Sequence, residues 1–214
     1  MSNRGASGTR ELPSEVFHVA DAANWPSIQR RGLLCTETLL AGSGVTAEDA
    51  AAARAHRPQG LQLSDGVQIR DQRPAPPDAL ARCLDPGVTP ADWYGLLNGS
   101  IFFWLDRDRV ERHTLAQKGR ATVLITLDAH RLADRYGAAM FLTPFNIGNA
   151  RRRAASRGWR TLVPLARWRL DGWTFETAPG RAPRDARAAA AELVIRGDAP
   201  DALAFVTRVE PCGA

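Results

Sequence analysis

Ala191-Glu192-Leu193-Val194-Ile195, stopped by Gly197 and Pro200, is a short apolar strand that carries one carboxylate. Near the other end of the chain, Val16-Phe17-His18-Val19 is a strand that carries one imidazole. Between the two in sequence runs Ile101-Phe102-Phe103-Trp104, rich in aromatic residues. β-Branched, aromatic and aliphatic residues bounded by glycine and proline are what strands of this length require. The fold turns on setting the three side by side with the aromatic strand in the middle, so that acid, imidazole and aromatic wall share one place.

Working outward, Ser14 to Ala20 reads as the first strand and Asn24-Trp25-Pro26-Ser27 as a helix start, with Asn24 as cap, proline in the first turn and Gly32 as the stop. Thr46 and Asp49 open a second helix that runs to Arg54. From Cys35 to about Leu84 the pattern blurs, with Leu61 to Arg70 alternating loosely, and this middle segment is expected to hold a ligand-covering loop ended by Pro74, Pro76 and Pro77. Thr89-Pro90-Ala91-Asp92 starts a helix that reaches Gly99 and delivers the chain into the aromatic strand. Asp106 caps a helix to Gly119, Val123 to Leu127 is a strand, and Asp128 caps a helix to Gly137. Further strands are expected at Met140 to Leu142, around 161–165, at 173–176, at 192–196 and at 203–209. Strands and helices interleave without a regular β-α-β repeat, which predicts an α+β fold.

With 214 residues, 44% apolar and 24% charged, the chain is long enough for one domain with its own core. Residues 1–12 are polar and read as a loose tail, 13–214 as a single domain. No apolar run is long enough to cross a bilayer and MSNRGASGTRELP has no apolar stretch, so the expectation is a cytoplasmic protein without a membrane partner. Cys35, Cys83 and Cys212 are odd in number and widely spaced, and His56, His113 and His130 have no partners at ligand spacing. Neither a disulfide framework nor a metal site is indicated. The net charge of +5 favours anionic partners, and Lys118 is the only lysine. Arginine grips a diphosphate at two points where an ammonium offers one. The sequence has no Walker loop, no G-x-S-x-G elbow and no H-E-x-x-H motif.

His18, followed by Asn24, Ser27-Ile28 and Gly32-Leu33-Leu34, resembles the opening motif of ADP-ribosyltransferase-fold proteins related to DarT and to RNA 2'-phosphotransferases. Ala191-Glu192 before apolar residues and a proline turn is similar to that family's last functional strand. The resemblance implies a split antiparallel sheet with flanking helices. It implies NAD as substrate, no metal, His18 holding its ribose with Asn24 nearby, and Glu192 as the catalytic carboxylate. It also implies a functional arginine after an NAD-binding loop, a place that Arg70 fills loosely; a surface pair with Asp71 is the plainer alternative. DNA or RNA is the first acceptor to expect and an antitoxin protein a further partner.

Other candidates come from the residues themselves. Phe102, Phe103 and Trp104 alternate across their strand, so one face is core and the other is free to stack on a flat ring; Phe103, Trp104 and Tyr94 are the candidates. Asn146 and Gly148 make a turn that allows close backbone approach to a ligand. Arg151, Arg152, Arg153, Arg157 and Arg160 beside Trp159 read either as a solvated face or as a track for a phosphate backbone. The leading expectation is an ADP-ribosyltransferase. An RNA 2'-phosphotransferase and a non-catalytic module binding nucleotide or protein are the alternatives.

Overall fold

A computed structural model describes residues 9–115, 119–151, 154–176, 184–185 and 188–212. The chain is a mixed α+β structure built on one large antiparallel sheet with flanking helices. Its strands are β1 (Glu15–Asp21), β4 (Ser100–Trp104), β5 (Thr122–Asp128), β6 (Met140–Thr143), β7 (Val163–Pro164), β8 (Glu192–Arg196) and β9 (Val206–Cys212), in the order β7-β6-β8-β4-β1-β5-β9. The aromatic strand β4 does lie between the histidine strand and the glutamate strand. A two-stranded hairpin, β2 (Leu61–Gln62) with β3 (Gln68–Ile69), stands apart.

Helices α1 (Trp25–Arg31), α2 (Thr36–Ala41), α3 (Ala47–Arg54), α4 (Pro77–Ala81), α5 (Pro90–Asn98), α6 (Arg107–Leu115), α7 (Ala129–Tyr136) and α8 (Leu165–Asp171) surround the sheet. The side-chain caps read at Thr46, Thr89, Asp106 and Asp128 form; Thr89 and Asp92 close a full capping box and Asp128 accepts from the His130 and Arg131 amides. Asn24 stands at the start of α1 but its side chain caps nothing there.

Both faces of the sheet are covered. Val16, Ile101, Phe103, Ile125, Leu127, Leu193 and Ile195 point into the main core with Leu132 of α7 and Trp168 of α8. Val194, Phe102 and Phe141 face a second cluster with Trp93, Tyr94 and Ile147, while Phe17 and Leu124 pack on Val110 of α6. The strands therefore lack the apolar-in, polar-out alternation of a sheet with one wet face.

Several expectations need correction. The stretch 173–176 forms a 3-10 turn (Gly172–Glu176), because Trp173 is swallowed whole by the main core and donates its indole N–H to the Ala188 carbonyl at 2.7 Å. The strand around 161–165 shrinks to Val163–Pro164, since proline lacks a donor and α8 starts at once. The last strand begins at Val206, after a 3-10 turn at Ala202–Phe205. The expected tail ends earlier than residue 12: Leu12 is buried and the Arg10 amide donates to the Arg169 carbonyl at 3.2 Å, whereas residues 1–8 lie outside the described residues. The end of the helix expected to reach Gly119 lies partly outside them as well.

The two terminal motifs clasp each other directly. Gly32 (φ +73°) ends α1 so close to Pro200 that a Cβ there would sit 2.0 Å from the proline carbonyl oxygen. Leu33 and Ala199 then exchange backbone hydrogen bonds of 3.1 and 2.8 Å, and the Asp198 carboxylate accepts from the Cys35 amide and the Thr38 hydroxyl, both at 2.8 Å, where α2 begins. Gly32→Ala therefore meets both a left-handed backbone and a backbone clash. Gly44 (φ +69°) has nothing within 4 Å, so Gly44→Ala meets only the first. In urea unfolding, Gly44→Ala is expected to cost about 1 kcal/mol and Gly32→Ala at least about 2–3 kcal/mol. Equal losses would mean that the clasp has slack.

Candidate functional site

Strand β1 pairs with β5 along its whole length, from Glu15 opposite Asp128 to Asp21 opposite Thr122, yet meets β4 only at Phe17 opposite Trp104. Beyond that pair the strands part. The His18 ring fills the first gap in the ladder: its Nδ1–H donates to the Phe102 carbonyl at 2.9 Å, and the ring lies 5.6 Å from that of Phe103, tilted by 55°. With Nδ1 the donor, the neutral ring keeps Nε2 as an acceptor. Burial pushes the imidazole down to about 4, against the raising effect of the Phe102 hydrogen bond and with the help of Arg70.

The parting opens a cleft of about 450 Å³, a volume in the usual range for small-molecule sites. His18, Asp21, Asn24, Arg57, Arg70, Phe102, Trp104, His113, Asn146 and Glu192 are among its lining residues. The imidazole and the carboxylate expected to converge do line one cleft. The hairpin and the segment that follows it, Val67 to Gln72, form another wall, where a covering loop was expected.

Glu192 starts β8 opposite Trp104 on one side and Thr143 on the other. One oxygen, Oε2, accepts from the Ile147 amide at 3.0 Å and from the Thr143 hydroxyl at 3.2 Å. Oε1 has no hydrogen-bond partner among the described residues. Burial raises the carboxyl to about 7, against the pull of the Ile147 amide, the Thr143 hydroxyl and the charges of Arg157 and Arg109. Near neutral pH the group is therefore poised to hold or release a proton.

Arg70 does not pair with Asp71. Its Nε donates to Asp21 at 3.3 Å, Asp21 also holds Arg120 at 2.9 Å, and Asp71 holds Arg73 at 3.0 Å. Arg70 Nη2 is buried with no partner among the described residues, an omission that costs on the order of 1–3 kcal/mol unless a ligand meets it. Burial lowers the Arg70 pKa, with Asp21 opposing the shift. Arg57, which the sequence did not single out, is buried beside it: Nε donates to the Arg70 carbonyl at 3.2 Å and Nη1 to Asn98 Oδ1 at 2.9 Å. Burial takes its pKa down to about 10, so it remains cationic. Two guanidiniums thus stand at one wall of the cleft.

Three candidates turn out differently. Phe103 points into the main core with 1% of its surface exposed, and Phe102 takes the cleft position beside Trp104. Tyr94 is buried under α5, its hydroxyl donating to the Ala75 carbonyl at 2.7 Å and its pKa pushed up by burial to about 12; it does not line the cleft. Asn24 lines the cleft, but its amide is spent: Nδ2 donates to the Gln68 carbonyl at 2.9 Å and Oδ1 accepts the Gln68 amide at 2.7 Å. It ties the hairpin to β1 and so shapes the cleft wall. Asn146 does line the cleft, and His113 of α6, its ring 5.2 Å from that of Trp104, lines it too.

Within the arginine stretch Arg151 and Arg160 are exposed, as a solvated face would have them, and Arg157 is not. Arg157 is 1% exposed, its Nη1 donating to the Ile147 carbonyl at 2.9 Å and its guanidinium 5.0 Å from the Phe145 ring. Arg160 lies over Phe175, Arg151 donates to the Arg73 carbonyl at 3.1 Å, and Trp159 is half exposed. Arg152 and Arg153 lie outside the described residues. Among the described residues no three His, Cys, Asp or Glu side chains are grouped to hold a metal ion, and no helix is long and apolar enough to cross a membrane.

A family model described as a family of unknown function, DUF7002, matches residues 14–206, and the chain belongs to that family. No curated protein and no solved structure matches the chain.

Folded Glu192 keeps its proton to about pH 7, whereas its ordinary value is 4.5. Its contribution to stability is complete below pH 4.5 and is lost as pH rises through 7. Glutamine carries no such dependence. Glu192→Gln should therefore gain stability relative to the parent between pH 4.5 and 7.5, by on the order of 3 kcal/mol in urea unfolding. A difference independent of pH would place the carboxylate in water.

Proposed function

The family to which the chain belongs has no known function, and we propose from the cleft that the chain is an NAD-dependent ADP-ribosyltransferase in which the parting of β1 from β4 is the split of an ADP-ribosyltransferase-like sheet. The observation that carries the reading is the shared cleft: neutral His18, buried Glu192 and the guanidiniums of Arg57 and Arg70 all line it. A lone buried acid would not distinguish this chemistry from many others. The combination matches the separate parts of a dinucleotide.

The His18 Nε2 lone pair accepts from a ribose hydroxyl, which places the sugar at the point where the strands part. Phe102 and Trp104 offer flat apolar area for the nicotinamide or the adenine ring. Arg70 and Arg57 face the diphosphate, and the unmet Nη2 of Arg70 gains an acceptor. Glu192 Oε1 takes a hydrogen bond from the ribose 2'-hydroxyl.

Reaction breaks the bond between C1' and the nicotinamide nitrogen. The electron pair leaves with nicotinamide, neutralising its positive charge, and C1' becomes oxocarbenium-like. A carboxylate bound to the adjacent hydroxyl stabilises that charge most in the transition state. The acceptor's nucleophile then bonds to C1', and its proton passes to Glu192, whose pKa of about 7 suits a base at neutral pH. A second hollow, sharing Asn146 and Asn149 with the cleft, is lined by Arg151 and Arg157, which favours an anionic acceptor such as DNA or RNA. The two guanidiniums of the main cleft would also suit RNA 2'-phosphotransfer. A cytoplasmic setting and an antitoxin partner fit the same reading.

Labelled NAD incubated with separate DNA, RNA and protein pools should label one pool and release nicotinamide in equal amount. Glu192→Gln should lower the rate at least about 100-fold while still binding NAD, and His18→Ala should weaken NAD binding about tenfold. Equal labelling by the parent and Glu192→Gln would remove Glu192 from the chemistry. Binding of NAD without nicotinamide release would leave the binding-module alternative.

A further inference from the structure

Both backbone groups of Ile147 are hydrogen-bonded to side chains. Its N–H donates to Glu192 Oε2 at 3.0 Å, and its carbonyl accepts from Arg157 Nη1 at 2.9 Å and from the Trp93 indole N–H at 3.2 Å. Ile147 itself is fully buried. The N–H and the carbonyl of one residue belong to successive peptide units, so the two donors on the Ile147 carbonyl act by fixing where that buried residue sits, and with it the direction in which its N–H meets Glu192.

Arg157 is held for this role from several directions. Its own backbone pairs with the 83–85 segment, the amide donating to the Cys83 carbonyl at 2.8 Å and the carbonyl accepting from the Asp85 amide at 2.7 Å. Its Nε donates to the Ala155 carbonyl at 3.1 Å, and the guanidinium lies over Phe145. Among the described residues no carboxylate forms an ion pair with it. A buried cation without a direct counterion is expensive, and the nearby groups able to offset it are Cys83 and, once ionised, Glu192.

We propose that Arg157 is a positioning residue for Glu192, acting through the backbone of Ile147 to hold one carboxylate oxygen and leave the other turned to the cleft. The role rests on Glu192 being the reactive carboxylate of the proposed function. The other charged or titratable groups around Glu192 are Arg109 from α6 and, among the residues lining the cleft, His18, His113, Arg57, Arg70, Asp21 and Asp71. None of these is hydrogen-bonded to the backbone of Ile147.

The test reads the ionisation of Glu192 without catalysis, by carbon NMR of its side-chain carboxyl in the full chain. Arg157→Met should move the midpoint up by about one pH unit or more, since a hydrogen bond to the charged form and a nearby opposite charge are both weakened. Arg157→Lys, which keeps the charge but loses the fork to Ile147 and Ala155, should move it less, and Trp93→Phe less again. The pH profile of nicotinamide release should move in the same direction. An unchanged midpoint in folded Arg157→Met overturns the role; if that variant does not fold, unchanged midpoints in both Arg157→Lys and Trp93→Phe overturn it. A moved midpoint in a protein that releases no nicotinamide supports the coupling and removes the proposed reaction instead.

Discussion

One strand pair that holds together at a single point governs this molecule. Where β1 leaves β4 after Phe17 and Trp104, the backbone of β4 loses its neighbour. Buried carbonyls cannot be left without donors, and the His18 ring serves the Phe102 carbonyl in place of a backbone amide. That substitution keeps the sheet continuous in hydrogen bonding while opening a space in the middle of it. The cleft is thus a product of strand geometry, and the elements around it, the β2–β3 hairpin tied down by Asn24 and the 145–149 turn, form its rim.

The same space sets the electrostatics. Burial keeps His18 neutral and holds a proton on Glu192, so between about pH 4.5 and 6.5 the folded chain has lost one proton and kept another relative to the unfolded chain. The contribution of His18 to stability is present above about 6.5 and lost as pH falls through 4; that of Glu192 runs the other way. Over that window the two slopes oppose each other. Two buried titratable groups can therefore share one cleft with little net pH dependence, provided that cations such as Arg70 and Arg57 remain tied to their own partners.

Much of this was legible in the sequence and the failures have physical causes. The caps at Thr46, Thr89, Asp106 and Asp128 follow from local signals that tertiary packing did not override, while the strand order around β4 and the placing of His18 and Glu192 on one cleft were legible from two distant motifs taken together. The choice between Phe102 and Phe103 did not, because both faces of the sheet are covered and alternation alone gives no parity. Asn24 has the composition of a helix cap, yet its amide finds a better-placed backbone in the hairpin 44 residues on. Arg57 was not singled out, and Arg157 was read only as one member of a basic stretch, for a different reason. Each is buried by segments that pair across long loops, and an arginine in a loop carries no mark of whether the chain will fold over it.

The clasp of Gly32 and Leu33 with the turn at Ala199 and Pro200 bears on how the molecule comes into being. Strand β1 sits between β4 and β5, which lie about a hundred residues further along the chain, and the glutamate-bearing strand β8 follows later still. Contacts between segments so far apart form slowly and only when both exist. During synthesis the helices next to β1 have no cleft to enclose, and the imidazole waits, solvated, until the strand that carries the carboxylate has been made.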